Sequence, residues 1–254
     1  MNDGVRKKLK VIALLTVLII VCVGYLFLEC VTRSFKKEVE PIPTPIVTPV
    51  AEPTIEPIPE ITQESTQTPV AVDIDSDDSI NKIVNKERKI PDTYVPELVN
   101  IDKKNMLRPE AAEAYEEMVE AAKADGINIV AVSGYRSYKY QRSLWFTYEE
   151  KYGRKYANRM DATPGASEHQ LGLAVDLVGA DGKCKLYNCF KNTSTSKWLV
   201  ENSYKYGFIL RYPDGKESVT GIMYSPWHYR YIGKEEALKV YESGLTLEEY
   251  YDVK

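Results

Sequence analysis

Ser167-Glu168-His169-Gln170-Leu171-Gly172-Leu173-Ala174-Val175-Asp176 sets one of the chain's two histidines seven residues before an aspartate in an apolar run. The second histidine lies in Ser225-Pro226-Trp227-His228-Tyr229-Arg230-Tyr231. Neutral imidazole is the commonest metal ligand in proteins. Two His and one Asp make the protein ligand set of a catalytic zinc site, with the fourth position left to water. On one regular strand, residues an odd number apart face opposite sides. The run therefore has to bend near Gly172, with His169 entering from a loop, Asp176 from the strand that follows, and His228 from a third segment. A lone histidine is more often a packed or surface residue. Here both scarce histidines stand in glycine- or aromatic-rich turns rather than on polar helix faces, which favours the ligand reading.

Outward from this stretch the pattern is that of a single α+β domain over residues 90–254, a small sheet flanked by helices. Pro109 suits a first helical turn, and Ala111, Tyr115, Met118, Val119 and Ala122 recur at helical spacing up to Lys123. Gly126 ends that helix, and Ile127 to Val132 reads as a buried strand. After the turn Ser133–Ser137, a helix is expected over Tyr138–Tyr152 with Leu144, Trp145 and Tyr148 inward. Residues 153–164 read as irregular or partly helical, and Leu171–Leu177 as a buried strand. Ser194 or Thr195 can cap a helix that Gly207 stops. Phe208–Tyr212 and Val219–Tyr224 read as strands, and Lys234–Glu242 as a helix. Thr246 with Glu249 three residues on has the spacing of a capping box.

The first 89 residues differ in kind. Residues 1–10 carry Arg6, Lys7, Lys8 and Lys10, and Val11 to Leu28 are 18 residues without a charge. That is about the shortest helix that spans a bilayer. No small-residue cleavage site follows, so residues 11–31 are expected to be an uncleaved anchor with residues 1–10 in the cytoplasm. Residues 32–89 hold eight of the fourteen prolines. Proline cannot donate to a helix or sheet ladder, so an extended, disordered stalk is expected there. The net charge of -4 gives no electrostatic reason for a nucleic-acid partner. With the domain outside the cell, Cys184 and Cys189 are expected to form a disulfide.

Other residues suited to chemistry stand near the presumed ligands. Arg136 lies on the loop after a buried strand, where functional side chains concentrate. Its guanidinium could clamp a carboxylate or stabilise an oxyanion, and a surface ion pair is an equal reading. Gln141 and Ser167 are candidate hydrogen-bond donors to a peptide.

Four ordered motifs carry a family resemblance: Ser133-Gly134-Tyr135-Arg136-Ser137 with Gln141; Ser167 to Asp176; Trp198 with Tyr206 to Pro213; and Pro226 to Gly233. Over residues 95–250 the chain resembles the VanY-type D-alanyl-D-alanine carboxypeptidases, which are LAS zinc metallopeptidases. The resemblance implies a LAS/hedgehog-like fold and one zinc ion held by His169, Asp176 and His228. It implies transition-state stabilisation by Arg136, and Gln141 and Ser167 holding the peptide end. The implied substrate is a peptidoglycan stem peptide ending in D-Ala-D-Ala, and the implied state is a monomer.

One position departs from that pattern. The family places a general-base glutamate three residues before the last histidine, and here that position is Ser225. A serine hydroxyl is a poor base near neutral pH, and losing such a group costs about 10²–10⁴ in rate. The expectation is a D,D-carboxypeptidase crippled in turnover. The alternatives are an inactive wall-peptide-binding protein and a related peptidoglycan dipeptidase or endopeptidase.

Overall fold

The computed structural model describes residues 72–253. The expected cytoplasmic tail, the apolar segment 11–31 and the stalk up to residue 71 lie outside the described residues. No helix among the described residues is long and apolar enough to cross a membrane.

A short ribbon, β1 (Val99–Asn100) with β2 (Met106–Leu107), leads into α1 (Pro109–Ala124). Then follow β3 (Ile129–Ser133), α2 (Tyr138–Tyr152), α3 (Arg154–Met160), a 3₁₀ turn (Glu168–Leu171) and β4 (Ala174–Gly179). The rest is α4 (Ser194–Asn202), β5 (Phe208–Leu210), α5 (Glu217–Thr220), β6 (His228–Tyr231), α6 (Lys234–Ser243) and α7 (Leu247–Tyr250). The main sheet has the order β3-β4-β6-β5, and every neighbouring pair is antiparallel.

Alternation divides the labour in β4 and the residue before it. Leu173, Val175 and Leu177 join the core that contains Ala111, Tyr115, Met118 and Ala122 of α1. Asp176, between them in sequence, lines a cavity instead. Met118 is fully buried, so its truncation to alanine is expected to cost about 2–5 kcal/mol. Helix ends follow local chemistry. The Ser137 hydroxyl caps α2 by accepting from Tyr140 N. Thr246 and Glu249 form the reciprocal capping box of α7. The α4 cap is Thr193, one residue before the earlier of the two expected caps, and it accepts from Ser196 N at 3.1 Å.

Three expectations are corrected. Residues 219–224 form no strand: α5 occupies Glu217–Thr220, and Gly221 at φ 73° turns the chain out of it. The strand lies at His228–Tyr231, read from sequence as a turn, because this segment fills the gap between β4 and β5. The packed domain also begins before Ile90. Ile83 and Val84 are buried, and Arg230 donates through Nη2 to the Ile80 and Lys82 carbonyls, each at 2.8 Å. Two apolar residues and two satisfied carbonyls thus take residues 80–84 out of the expected stalk.

Candidate metal centre and active-site cavity

Sheet register brings the first two presumed ligands together. Asp176 on β4 and His228 on β6 are direct antiparallel partners, a geometry that sets Cβ atoms about 4.5–5.5 Å apart. The turn into β6 is fixed on both sides: His228 N donates to Ser225 O at 3.0 Å, and Leu177 N donates to Trp227 O at 2.8 Å. His169 arrives from the 3₁₀ turn before β4, which Gly172 ends in the left-handed region at φ 71°. This is the bend that the odd spacing demanded.

The loop after β3 grips His169 at two points. Its Nδ1 lies 2.7 Å from Gly134 O, and its carbonyl accepts from Arg136 N at 3.1 Å. A side chain at position 134 would come within 2.5 Å of Met106 O, so this close approach requires glycine. A proton on Nδ1 leaves Nε2 as a lone pair. That atom is buried with no hydrogen-bond partner and lies 3.4 Å from Asp176 Oδ2.

His228 is oriented the same way by a different group. Its Nε2 lies 3.3 Å from Glu168 Oε2 and its Nδ1 3.1 Å from Asp176 Oδ1. A proton on Nε2, shared with Glu168, turns the Nδ1 lone pair toward Asp176. One ligand atom from each of His169, Asp176 and His228 lies within 4.8 Å of the others, and all three residues are buried. Two inward lone pairs and a carboxylate, one of them an orphaned buried nitrogen, fit a divalent cation with nitrogen and oxygen preference such as zinc. A carboxylate behind a ligating histidine is the usual outer partner of such sites.

Neighbouring charges act on the two histidines in opposite directions. Burial lowers the His169 pKa and Arg136 adds to the effect. Burial acts on His228 in the same direction, but hydrogen bonds to Asp176 and Glu168 outweigh it and raise its pKa. Burial would raise the Asp176 carboxyl, yet His169 and His228 hold it well below the usual carboxylate range. Burial would likewise raise Glu168, and Arg211, Arg230 and His228 overcome it, so that carboxyl also stays ionised. Arg211 Nε lies 2.7 Å and Arg230 Nη1 2.9 Å from Glu168 Oε1.

The cavity beside the ligands has a volume of about 350 Å³. Arg136, Ser167 and Ser225 line it, as do the rings of Tyr148, Tyr212 and Trp227. Arg136 Nη1 pairs with Asp161 Oδ2 at 3.3 Å, and its Nη2 lies 3.5 Å from Asp176 Oδ2. Gln141 stands elsewhere. It is fully buried, absent from the cavity lining, and donates to Asp161 Oδ1 at 3.1 Å and Ala162 O at 2.7 Å. Its amide nitrogen holds Asp161 behind the wall, while its Oε1 is buried without a hydrogen-bond partner, and the peptide contact expected of it belongs to the proposed function. Ser225 Oγ donates to Met223 O at 3.0 Å.

Residues 104–234 match the family model described as VanY, D-alanyl-D-alanine carboxypeptidase. The chain belongs to the VanY D-alanyl-D-alanine carboxypeptidase family. It is 41% identical to YodJ of Bacillus subtilis (strain 168), over 70% of this chain and 69% of that one. The LdcB LD-carboxypeptidase structure is similar at TM-score 0.65 and 40% identity, covering 70% of this chain and 88% of that one. The vancomycin-resistance D,D-pentapeptidase VanY of a VanB-type cassette, a mutant in complex with Zn(II), is similar at TM-score 0.61 and 36% identity. That match covers 68% of this chain and 99% of the other. Zinc is thus the metal of a VanY relative, and His169, Asp176 and His228 are the residues that would hold it here.

Among the described residues, sequence reading missed the groups that work behind the ligands. Asp161, at the end of α3, anchors both Arg136 and Gln141. Glu168 serves as the outer partner of His228, and the pair of arginines that keeps it charged sits on or beside the strands β5 and β6. Glu168 next to a presumed ligand was the one available signal. Its arginine partners are 43 and 62 residues away.

Proposed function

We propose that the chain is a membrane-anchored zinc carboxypeptidase scaffold of the cell-wall zone that takes peptide ends of the D-Ala-D-Ala type and is crippled in turnover. The observation that carries this reading is the junction, in one cavity, of the three-ligand centre with Arg136 on one wall and Ser225 on the turn before His228. The apolar segment 11–31 and the proline-rich stretch after it support an anchored domain outside the membrane.

Zinc held by His169, Asp176 and His228 would supply a Lewis acid and lower the pKa of a bound water toward neutrality. The chain's own residues account for the rest of the chemistry. Arg136 presents a fixed guanidinium that can meet a peptide carboxylate or the charge developing on a cleaved carbonyl. Asp161 and Gln141 hold it in place. Tyr212, with its ring centroid 4.8 Å from that of His228, excludes water from one side of the ligand.

Proton transfer is the missing function. The turn that binds His228 N to Ser225 O keeps position 225 on the cavity wall, but a hydroxyl there takes up no proton near neutral pH. Glu168 does not replace it, since both arginines hold it and it has no exposure to the cavity. Asp161 is the other lining carboxylate among the described residues outside the ligand set, and it faces Arg136. These observations equally favour a second reading, a wall-peptide-binding protein without turnover.

The test is titration of the zinc-loaded protein with a peptide ending in D-Ala-D-Ala and with its C-terminal amide. Tight binding of the acid with little D-Ala release supports the proposal. Rapid release would show that Ser225 does not cripple the site, and no binding by either would remove the peptide assignment.

A further inference from the structure

Leu186 lines the same cavity, yet it belongs to no regular element and to none of the motifs that led to the metal centre. It sits in the small loop closed by the Cys184–Cys189 disulfide, whose Cα atoms are 5.5 Å apart. Both ends of this loop are anchored: Cys184 packs against the main core and Phe190 is buried within it. Between those anchors Leu186 is 37% exposed, so it forms part of the cavity rim rather than the core.

The backbone here is unusual. Cys184 has φ 55° and Leu186 φ 56°, two of the three non-glycine residues in the left-handed region among the described residues. Side chains with a Cβ hold that conformation only where the surroundings over-determine it. Tyr187 N donates to Cys184 O at 3.0 Å and Phe190 N to Tyr187 O at 2.9 Å. Two turn bonds, the disulfide and the Phe190 anchor together fix the direction in which Leu186 projects. Apolar walls of this sort set ligand size, while a few polar groups set orientation. In this cavity Arg136 and the ligand residues supply the polar part, and Leu186 joins Leu144, Tyr148, Met160 and Ile222 in the apolar part.

We infer that Leu186 is a specificity-determining residue that limits the size of the peptide-end side chain the cavity accepts, and that the Cys184–Cys189 disulfide holds it there. The inference rests on the peptide-binding reading above. A loop without the disulfide keeps its turn bonds but loses the constraint on two left-handed residues, so Leu186 leaves the wall and the size limit relaxes.

The test uses the full, zinc-loaded chain and two peptides, one ending in D-Ala-D-Ala and one in D-Ala-D-Leu, with affinities read by calorimetry. The intact protein is expected to favour the D-Ala end. Leu186→Ala should narrow that preference by roughly tenfold, the scale of a few methylene groups in an apolar pocket. Cys184→Ser with Cys189→Ser should narrow it similarly, and adding Leu186→Ala to this pair should change it little further. Zinc content should stay the same throughout. Leu186→Ala leaves the disulfide intact and so tests the wall even if the cysteine variant unfolds. An unchanged preference in Leu186→Ala overturns the wall assignment, and additive effects of the two changes overturn the role of the disulfide. Failure of the intact, zinc-loaded protein to bind either peptide instead overturns the peptide-binding reading and this inference with it.

Discussion

Glu168 Oε2 lies 3.3 Å from His228 Nε2, the ring nitrogen opposite the one that meets Asp176. One imidazole is thereby held between two carboxylates, and a proton on Nε2, shared with the outer one, frees Nδ1 for a metal. Glu168→Gln should lower zinc affinity by about 10–100-fold, the usual effect of losing an outer carboxylate behind a ligating histidine. Competition against a chelating dye reads this directly, and unchanged affinity would mean that Glu168 does not set the tautomer.

Glu168 also neutralises buried guanidinium charge. Arg211 and Arg230 are both almost fully buried, and removing one member of such a cluster costs about 3–5 kcal/mol. Glu168→Ala is therefore expected to shift the urea midpoint of the metal-free protein strongly downward. A shift no larger than that of an exposed substitution such as Lys183→Ala would show the arginines satisfied elsewhere.

Arg136 and Asp161 should separate by size of effect. In a Ser225→Glu background, Arg136→Ala is expected to lower kcat/KM by about 10²–10³, as for loss of one oxyanion donor. Asp161→Asn leaves the guanidinium present but loosely held, so its loss should be smaller and recovered least by raising substrate concentration. Equal losses would place Asp161 in direct contact with the peptide.

The Arg211–Glu248 pair makes stability depend on pH. Burial would raise the Glu248 carboxyl, but Arg211, at 2.6 and 2.8 Å, lowers it below its ordinary value. A carboxyl depressed on folding stabilises the protein above the unfolded pKa of about 4.3, and that contribution is lost as pH falls through the folded value. Unfolding free energy of the metal-free protein should therefore drop below about pH 4.5, and the drop should be shallower in Glu248→Gln. Parallel pH profiles for the two proteins would exclude this pair as a source.

The ligand set was legible because both histidines are scarce and each lies in an ordered motif. The long elements were legible for similar reasons: Pro109 opens α1, and Tyr138–Tyr152 follows a serine cap. The β6 strand was hidden because Pro226 and Trp227 read as a turn, while its central place in the sheet comes from partners 52 residues upstream and about 20 upstream on β5. The position of Gln141 was hidden too. A helix face says which side is inward but not whether inward means cavity or wall, and Asp161, the partner of its amide, lies 20 residues away. Residues 80–84 read as stalk in sequence because their two backbone acceptors are satisfied by Arg230, some 150 residues later.

A complete metal centre without a proton acceptor at position 225 is the core of the proposed function. It is tested most directly by D-Ala release from a pentapeptide stem by the zinc-loaded protein, as it stands and as Ser225→Glu, with zinc content measured in both. Equal zinc content and a gain of about 10²–10⁴ in rate for Ser225→Glu are expected. Full activity in the unsubstituted protein, or a Ser225→Glu protein that holds zinc and stays inert, would contradict it.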